Sequence, residues 1–176
     1  MQHLVLMALL VITPSQATVL LSMDEAIALV FGECQVQSRT VYLTYEQREA
    51  AEARAKVSIA SSLVRQHVGL CDGEVMGTAY FDTHPVRELP ATLMVVVAND
   101  GSIARVELLS FEGPDENKPG PGFYELIRGL RLDRDLAIKR SAIRPVSGAT
   151  LSSIATVEAA RRILALHEVI QAGDEP

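Results

Sequence analysis

A chain of 176 residues has room for one compact domain and little for a second with its own core. Hydrophobic residues at 48% and charged residues at 22% are ordinary globular usage and exclude a disordered chain. Sixteen basic against twenty-two acidic side chains leave a formal charge of -6, the wrong sign for a phosphate-neutralising surface, which argues against nucleic acid as a partner.

Residues 1–21 carry no Asp, Glu, Lys or Arg, and Leu4 to Ile12 is an unbroken apolar run. The run is well short of the ~20 residues that span a bilayer as a helix, and Ser15-Gln16-Ala17 offers the small residues that signal peptidase reads. A secretory signal peptide over residues 1–17 is therefore expected. The domain would then be periplasmic or otherwise extracytoplasmic, and membrane-associated if the leader stays attached. The segment before the apolar run lacks Lys and Arg, which leaves an upstream start or a buried first helix as alternatives. Residues 18–72 then form a helical N-terminal region with the first strand, residues 73–171 the core of the domain, and residues 172–176 a tail.

Ser22-Met-Asp-Glu25 has the form of a capping box, and Ala26, Leu29 and Val30 follow at helical spacing, so a short helix is predicted that Gly32 ends. Thr44-Tyr-Glu-Gln47 is a second box, opening a charged helix from about Tyr45 to Lys56 whose Glu, Arg and Ala content reads as a solvated face. Cys34 and Cys71 are the only cysteines; they fit no zinc, dithiol or c-type haem signature. Two readings stand for them, a disulfide in an oxidising compartment or a pair of buried thiols.

From Ser62 the period shortens. Leu63 to Leu70 and Val75 to Phe81 read as two strands around Cys71-Asp72-Gly73. Thr92 to Ala98 is a β-branched run that Asn99-Asp100-Gly101 turns into Ile103 to Leu109. The prediction is an antiparallel meander of about four strands, with Pro85 and Pro90 confining residues 84–91 to a crossing loop. Glu112 to Gly122, rich in Pro and Gly, should form no regular structure, and is either a surface connection or a site. Phe123 to Leu130 suggests a short helix. Ser152 to Ala172 suggests a long one, with Ile154, Val157, Ala160, Leu164, His167 and Ile170 along one face. The fold class is α+β.

Before the long helix stands Ile143-Arg-Pro-Val-Ser-Gly-Ala-Thr-Leu-Ser-Ser153. Ser147 and Thr150 offer hydroxyls, and Gly148 permits close backbone approach or a positive φ. Ser152 or Ser153 is placed to cap a helix whose first amides and dipole favour a phosphate. The same residues are also what any helix start uses. Neither a G-x-S-x-G elbow nor a P-loop is present.

Ser147-Gly148-Ala149-Thr150 resembles the S/T-G-A-T flavinylation motif of the FMN-binding domain family, which includes the G subunit of the Rnf complex and the C subunit of the sodium-translocating NADH:quinone reductase. Glu116-Asn-Lys-Pro-Gly-Pro-Gly122 is similar to that family's E-T-P-G-x-G loop, and lies, as there, after a strand pair with an Asp-Gly turn, here Asp100-Gly101. The likeness covers roughly Gly73 to Leu166. It implies FMN joined through its phosphate to the Thr150 hydroxyl by a flavin transferase that consumes FAD and magnesium. Ser147, Gly148, Ala149, Leu151, Ser152 and Ser153 are implied around that phosphate, and Glu116, Gly120 and Gly122 in the second motif. Two features depart from the pattern: Arg144 stands where the family usually has Asp, and Lys118 is an insertion. Arg144 is either a solvated loop residue or a bidentate partner for a non-covalent phosphate.

Thr83-His84, at the end of a strand, is a candidate to face the flavin, with a structural histidine as the alternative. Tyr124 and Phe123 could stack on an isoalloxazine ring or pack the core. His67 and His167 have no partner at metal-ligand spacing, so no metal site is expected. The resulting expectation is an exported FMN-carrying electron-transfer domain, more a carrier than a complete enzyme, whose partners are a flavin transferase and redox proteins. The alternative is a module of the same architecture holding FMN or another phosphorylated ligand non-covalently.

Overall fold

The computed structural model describes residues 18–132, 136 and 143–174; the expected leader lies outside the described residues. Six strands, β1 (Thr18–Val19), β2 (Gln35–Tyr42), β3 (Leu63–Cys71), β4 (Glu74–Val86), β5 (Leu89–Val97) and β6 (Ile103–Phe111), form one sheet in the order β1-β6-β5-β4-β3-β2. Every neighbouring pair is antiparallel. Helices α1 (Met23–Phe31), α2 (Tyr45–Ala55), α3 (Pro121–Ile127) and α4 (Thr150–Asp174) complete an α+β fold. No described helix is long and apolar enough to cross a membrane.

The central strands explain the layering. Along β5, Leu93, Val95 and Val97 join the core beneath α2, α3 and α4, while Met94 and Val96 meet Ala26 and Phe31 of α1 on the other face. Alternate side chains of a strand point to opposite faces, so a strand covered on both sides reads as a continuous apolar run. Gly69 is the close approach: a Cβ there would lie 2.1 Å from the ring of Phe31.

Local signals place the helices where the spacing puts them. Ser22 Oγ accepts from the Glu25 amide at 3.2 Å and the Glu25 carboxylate accepts from the Ser22 amide at 2.8 Å. Thr44 and Gln47 repeat the exchange on α2. The charged helix α2 is not solvated all round, since Ala51 and Ala55 are fully buried against α4. Arg161 of α4, itself 4% exposed, donates to the carbonyls of Ala55 at 2.6 Å and Arg54 at 3.2 Å, putting a cation on the negative end of α2. Asp72 and Gly73 both have positive φ, the requirement of a two-residue hairpin turn. Cys34 and Cys71 are joined in a disulfide across the ends of β2 and β3. Closing a loop over a sequence separation of 37 contributes roughly 3–4 kcal/mol on the chain-entropy account.

Three expectations are corrected. Residues 84–91 are not a crossing loop, because β4 runs on to Val86 and β5 begins at Leu89 after a two-residue turn, with Pro85 opposite Pro90. The Pro90 carbonyl accepts from the Glu112 amide, so the backbone polar groups of Pro90 face β6. The Pro85–Pro90 pair is then one across which no ladder bond is made, and Pro85 lacks its donor only on an open edge. A whole strand, β2, lies in a segment where no element was expected; it is a polar edge strand, exposed along most of its length. Finally, α4 starts at Thr150 and not Ser152, while Ile154 is 41% exposed and Ser152, Ser153 and Thr156 face inward instead.

Candidate functional site

The β4–β5 hairpin, the Gly/Pro-rich segment after β6 and the first turn of α4 meet around a cleft of about 640 Å³. Its polar corner is built by the Ser147-Gly-Ala-Thr150 tetrapeptide. The Val146 carbonyl accepts from the Ala149 amide at 3.0 Å, and Gly148 sits at φ +85, the geometry of a type II turn with glycine in its third position. Ser153 N–H bonds back to the Ala149 carbonyl at 2.9 Å, so Ala149 is the capping residue and Thr150 the first residue of the helix. An alanine side chain cannot accept a hydrogen bond. The amides of Thr150, Leu151 and Ser152 consequently have no side-chain acceptor among the described residues.

Thr150 is exposed, and its hydroxyl makes only a long contact of 3.4 Å to the Val146 carbonyl. The two serines behave differently from the capping role expected of them. Ser152 Oγ donates to the Asn117 carbonyl at 2.6 Å, and Ser153 Oγ donates to the Ala149 carbonyl at 2.8 Å while accepting from the Val146 amide at 3.1 Å. Both hydroxyls are spent on the frame. Ser152 draws the 3-10 turn Asp115–Asn117 against the helix start, and a Cβ on Gly148 would lie 3.7 Å from the Glu116 carbonyl oxygen. Two sequence motifs about thirty residues apart are therefore in contact, the Ser152 hydroxyl of one bonding a backbone carbonyl of the other.

The remaining candidates separate. Gly148, Ala149, Thr150, Leu151 and Ser152 line the cleft. Exposed Ser147 and Glu116 border it through the turn and the loop backbone without lining it. Gly120 precedes α3 and Gly122 lies in its first turn, where Pro121 takes the position proline favours; neither lines the cleft, whereas Gly113 and Pro114 do. Tyr124 is 9% exposed on α3, burial pushes its phenol well up, and its hydroxyl is buried without a partner; it is not at the cleft. Phe123 packs in the core. Arg144 is exposed, makes no hydrogen bond or ion pair among the described residues and does not line the cleft. Thr83 and His84 line a second cleft farther along β4. No group of three or more metal-binding side chains occurs among the described residues.

Sequence reasoning missed the opposite wall. Val86, Leu89 and Phe111 supply apolar surface, and Arg87 and Glu88 form the hairpin tip, with Arg87 at φ +59. No Asn-Gly or Asp-Gly marks that turn, so the only available signal was its position between two prolines. Among the described residues, Arg87 and Glu88 are the only formal charges lining the cleft, and they offset each other. The cleft thus offers free helix amides and a hydroxyl at one end and apolar surface at the other, which suits a phosphate ester with a flat apolar body. No protein-family model matches the chain, and neither a curated protein nor a solved structure does.

Proposed function

We propose that the chain is an exported electron-transfer domain that carries FMN, attached by a phosphoester to Thr150. The observation that carries the reading is the exposed Thr150 hydroxyl at the uncapped start of α4, opening on an apolar-walled cleft of about 640 Å³. A cleft of this size is within the range of cofactor sites. The residues present fit the group: the amides of Thr150 to Ser152 would hold the phosphate, and Val86, Leu89, Phe111 and Leu151 would flank the ring.

Attachment breaks the pyrophosphate of FAD, forms a P–O bond to Thr150 Oγ1 and releases AMP, the hydroxyl proton leaving to the transferase or solvent. FMN, when bound, supplies one- and two-electron transfer. Gly148 lets the backbone turn tightly beneath the hydroxyl, and the Ser152–Asn117 bond holds the second motif beside it. The chain contributes attachment and orientation, while electrons enter from and leave to redox partners. A disulfide between Cys34 and Cys71 suits an oxidising compartment, in line with the expected leader. The non-covalent alternative would draw on Arg144, which does not line the cleft.

The test is intact mass and denaturing-gel fluorescence after co-expression with a flavin transferase in an exporting host, beside Thr150→Val. A gain of FMN less one water, absent from a variant whose stability lies within about 0.5 kcal/mol of the parent, is the expected result. Folded, exported protein with no gain in mass overturns the covalent assignment.

A further inference from the structure

The ladder between β3 and β4 runs from Cys71↔Glu74 to His67↔Ala79 and stops. β4 continues to Val86 beside β5, so Leu63–Gln66 and Tyr80–Val86 are not paired with each other. A second cleft, of about 480 Å³, opens where the strands part. Its charged lining residues are Arg65, Asp82 and Arg162, an excess of cation in a protein of net charge -6.

Asp82 is 9% exposed and fully engaged. Arg162 grips it through both oxygens, Nε to Oδ2 at 2.7 Å and Nη2 to Oδ1 at 3.2 Å, and His84 Nδ1 donates to Oδ1 at 2.8 Å. Burial would raise the Asp82 carboxyl, but the bonds from His84 and Arg162 outweigh it and hold the group at about 2. The carboxylate is thus held ionised by three donors, and its partners keep donors to spare. A guanidinium has five N–H donors, and Nη1 of Arg162 makes only a 3.5 Å contact to the Ser58 carbonyl. His84 is 6% exposed, and its Nε2 has no partner among the described residues. His67 Nε2, also on this cleft, is buried without one. Ile59, Ile163 and Leu166 line the cleft on the face of the sheet that carries Arg162 and His84, while His67 and Phe81 line it from the other face.

We infer that the cleft between β3 and β4 binds a small organic carboxylate with a flat apolar body, its carboxylate on Arg162 beside His84 and its body against Ile59, Ile163 and Leu166. The geometry matches the usual division of a ligand site, a few fixed polar groups in an apolar wall, and the Asp82 pair presets the guanidinium plane for bidentate contact. Pro85 lines this cleft and Val86 the first, so the two sites are neighbours along one strand.

The probe is benzoate, titrated into the whole chain by calorimetry and by nitrogen NMR of the histidine rings, with benzamide as the uncharged control. Expected are saturable binding of one benzoate, a shift at His84 larger than any at His67, and binding of benzamide at least tenfold weaker. Arg162→Gln alone would strand a buried Asp82 charge, so the double variant Asp82→Asn/Arg162→Gln, checked for folding by circular dichroism, is the deciding one, and it should lose benzoate binding. Thr150→Val should retain it, which separates this inference from the flavin assignment. Equal binding of benzoate and benzamide, no saturation up to roughly 10 mM, or undiminished binding by the folded double variant overturns it.

Discussion

Ser152→Ala tests whether the candidate site is held together as its geometry implies. Ser152 is 3% exposed, and its hydroxyl donates at 2.6 Å to the carbonyl of Asn117, a residue only half-buried. A neutral hydrogen bond contributes a net ~0.5–1.5 kcal/mol, and stranding a fully buried acceptor would add a desolvation penalty. Water reaches Asn117 once the hydroxyl is gone, so this penalty falls away, and the short 2.6 Å bond puts the loss near the upper end of the net range, about 1–1.5 kcal/mol. That lowers Tm by roughly 2–6 °C in a domain of this size. The location of the effect is the sharper readout. Every opening that breaks the bond becomes easier by the same free energy, so amides in the segment 113–118 should exchange about tenfold faster. Amides of β2, which exchange by fraying of an exposed edge far from the bond, should not change. Unchanged exchange at 113–118, or an equal acceleration in β2, would show that Ser152 does not pin the loop to the helix, and the picture of a preformed cleft would fall with it.

Tyr80→Phe keeps the volume of a side chain that is 1% exposed but strands Gln66 Nε2 and His167 Nδ1, which bond its hydroxyl at 2.7 and 2.8 Å. A loss of about 2–4 kcal/mol is expected, read as a lower urea midpoint with an unchanged slope; a loss below about 1 kcal/mol would mean that neither partner depends on the hydroxyl. Stability should also fall in acid. Burial pushes His167 and His67 down, so the unfolded chain binds protons that the native rings refuse, and stability is complete above roughly pH 6.5 and declines below it. Asp82, held at about 2 by His84 and Arg162 against its burial, adds a second loss of roughly 2–3 kcal/mol as pH falls from about 4 toward 2. Urea midpoints that stay level from pH 7 to 3 would reject both assignments.

What could be read from the residues was what one segment decides alone. Capping boxes at Ser22 and Thr44, the Asp72-Gly73 turn and the β-branched runs around Asn99-Asp100-Gly101 each specify an element through their own chemistry, and each forms there. What escaped depends on neighbours. β2 carries a polar sequence because only its edge position and its pairing with β3 make it a strand. Pro85 and Pro90 looked like breakers because their tolerance rests on facing each other across a non-bonded pair, with no β3 alongside Pro85. The expected face of α4 holds at Ala160, Leu164, His167 and Ile170 and departs only in the first turns, for a related reason. Ser152, Ser153 and Thr156 are buried with their hydroxyls on backbone carbonyls, so polar residues occupy core positions that an apolar stripe would assign to Ile154.

The same distinction governs the candidate site. The tetrapeptide Ser147–Thr150 and the loop from Glu116 to Gly122 were both visible as unusual backbone chemistry, yet nothing in either says that they touch. Their meeting follows from topology: β6 ends at Phe111 beside β5, which delivers the loop to the hairpin end of the sheet, and α4 runs back along β4 with its first turn at that same end. His84, four positions before Glu88 at the hairpin tip, is consequently carried up the strand to Asp82 and Arg162 instead of to Thr150. One strand thus separates two chemically different clefts. At the hairpin end there is a hydroxyl beside helix amides with no side-chain acceptor among the described residues, and the only described cation lining that cleft is Arg87 beside Glu88, a setting that suits an anion held by attachment more than by charge. Where β3 departs there are preset cationic donors around a paired carboxylate, a setting that favours an anion held reversibly.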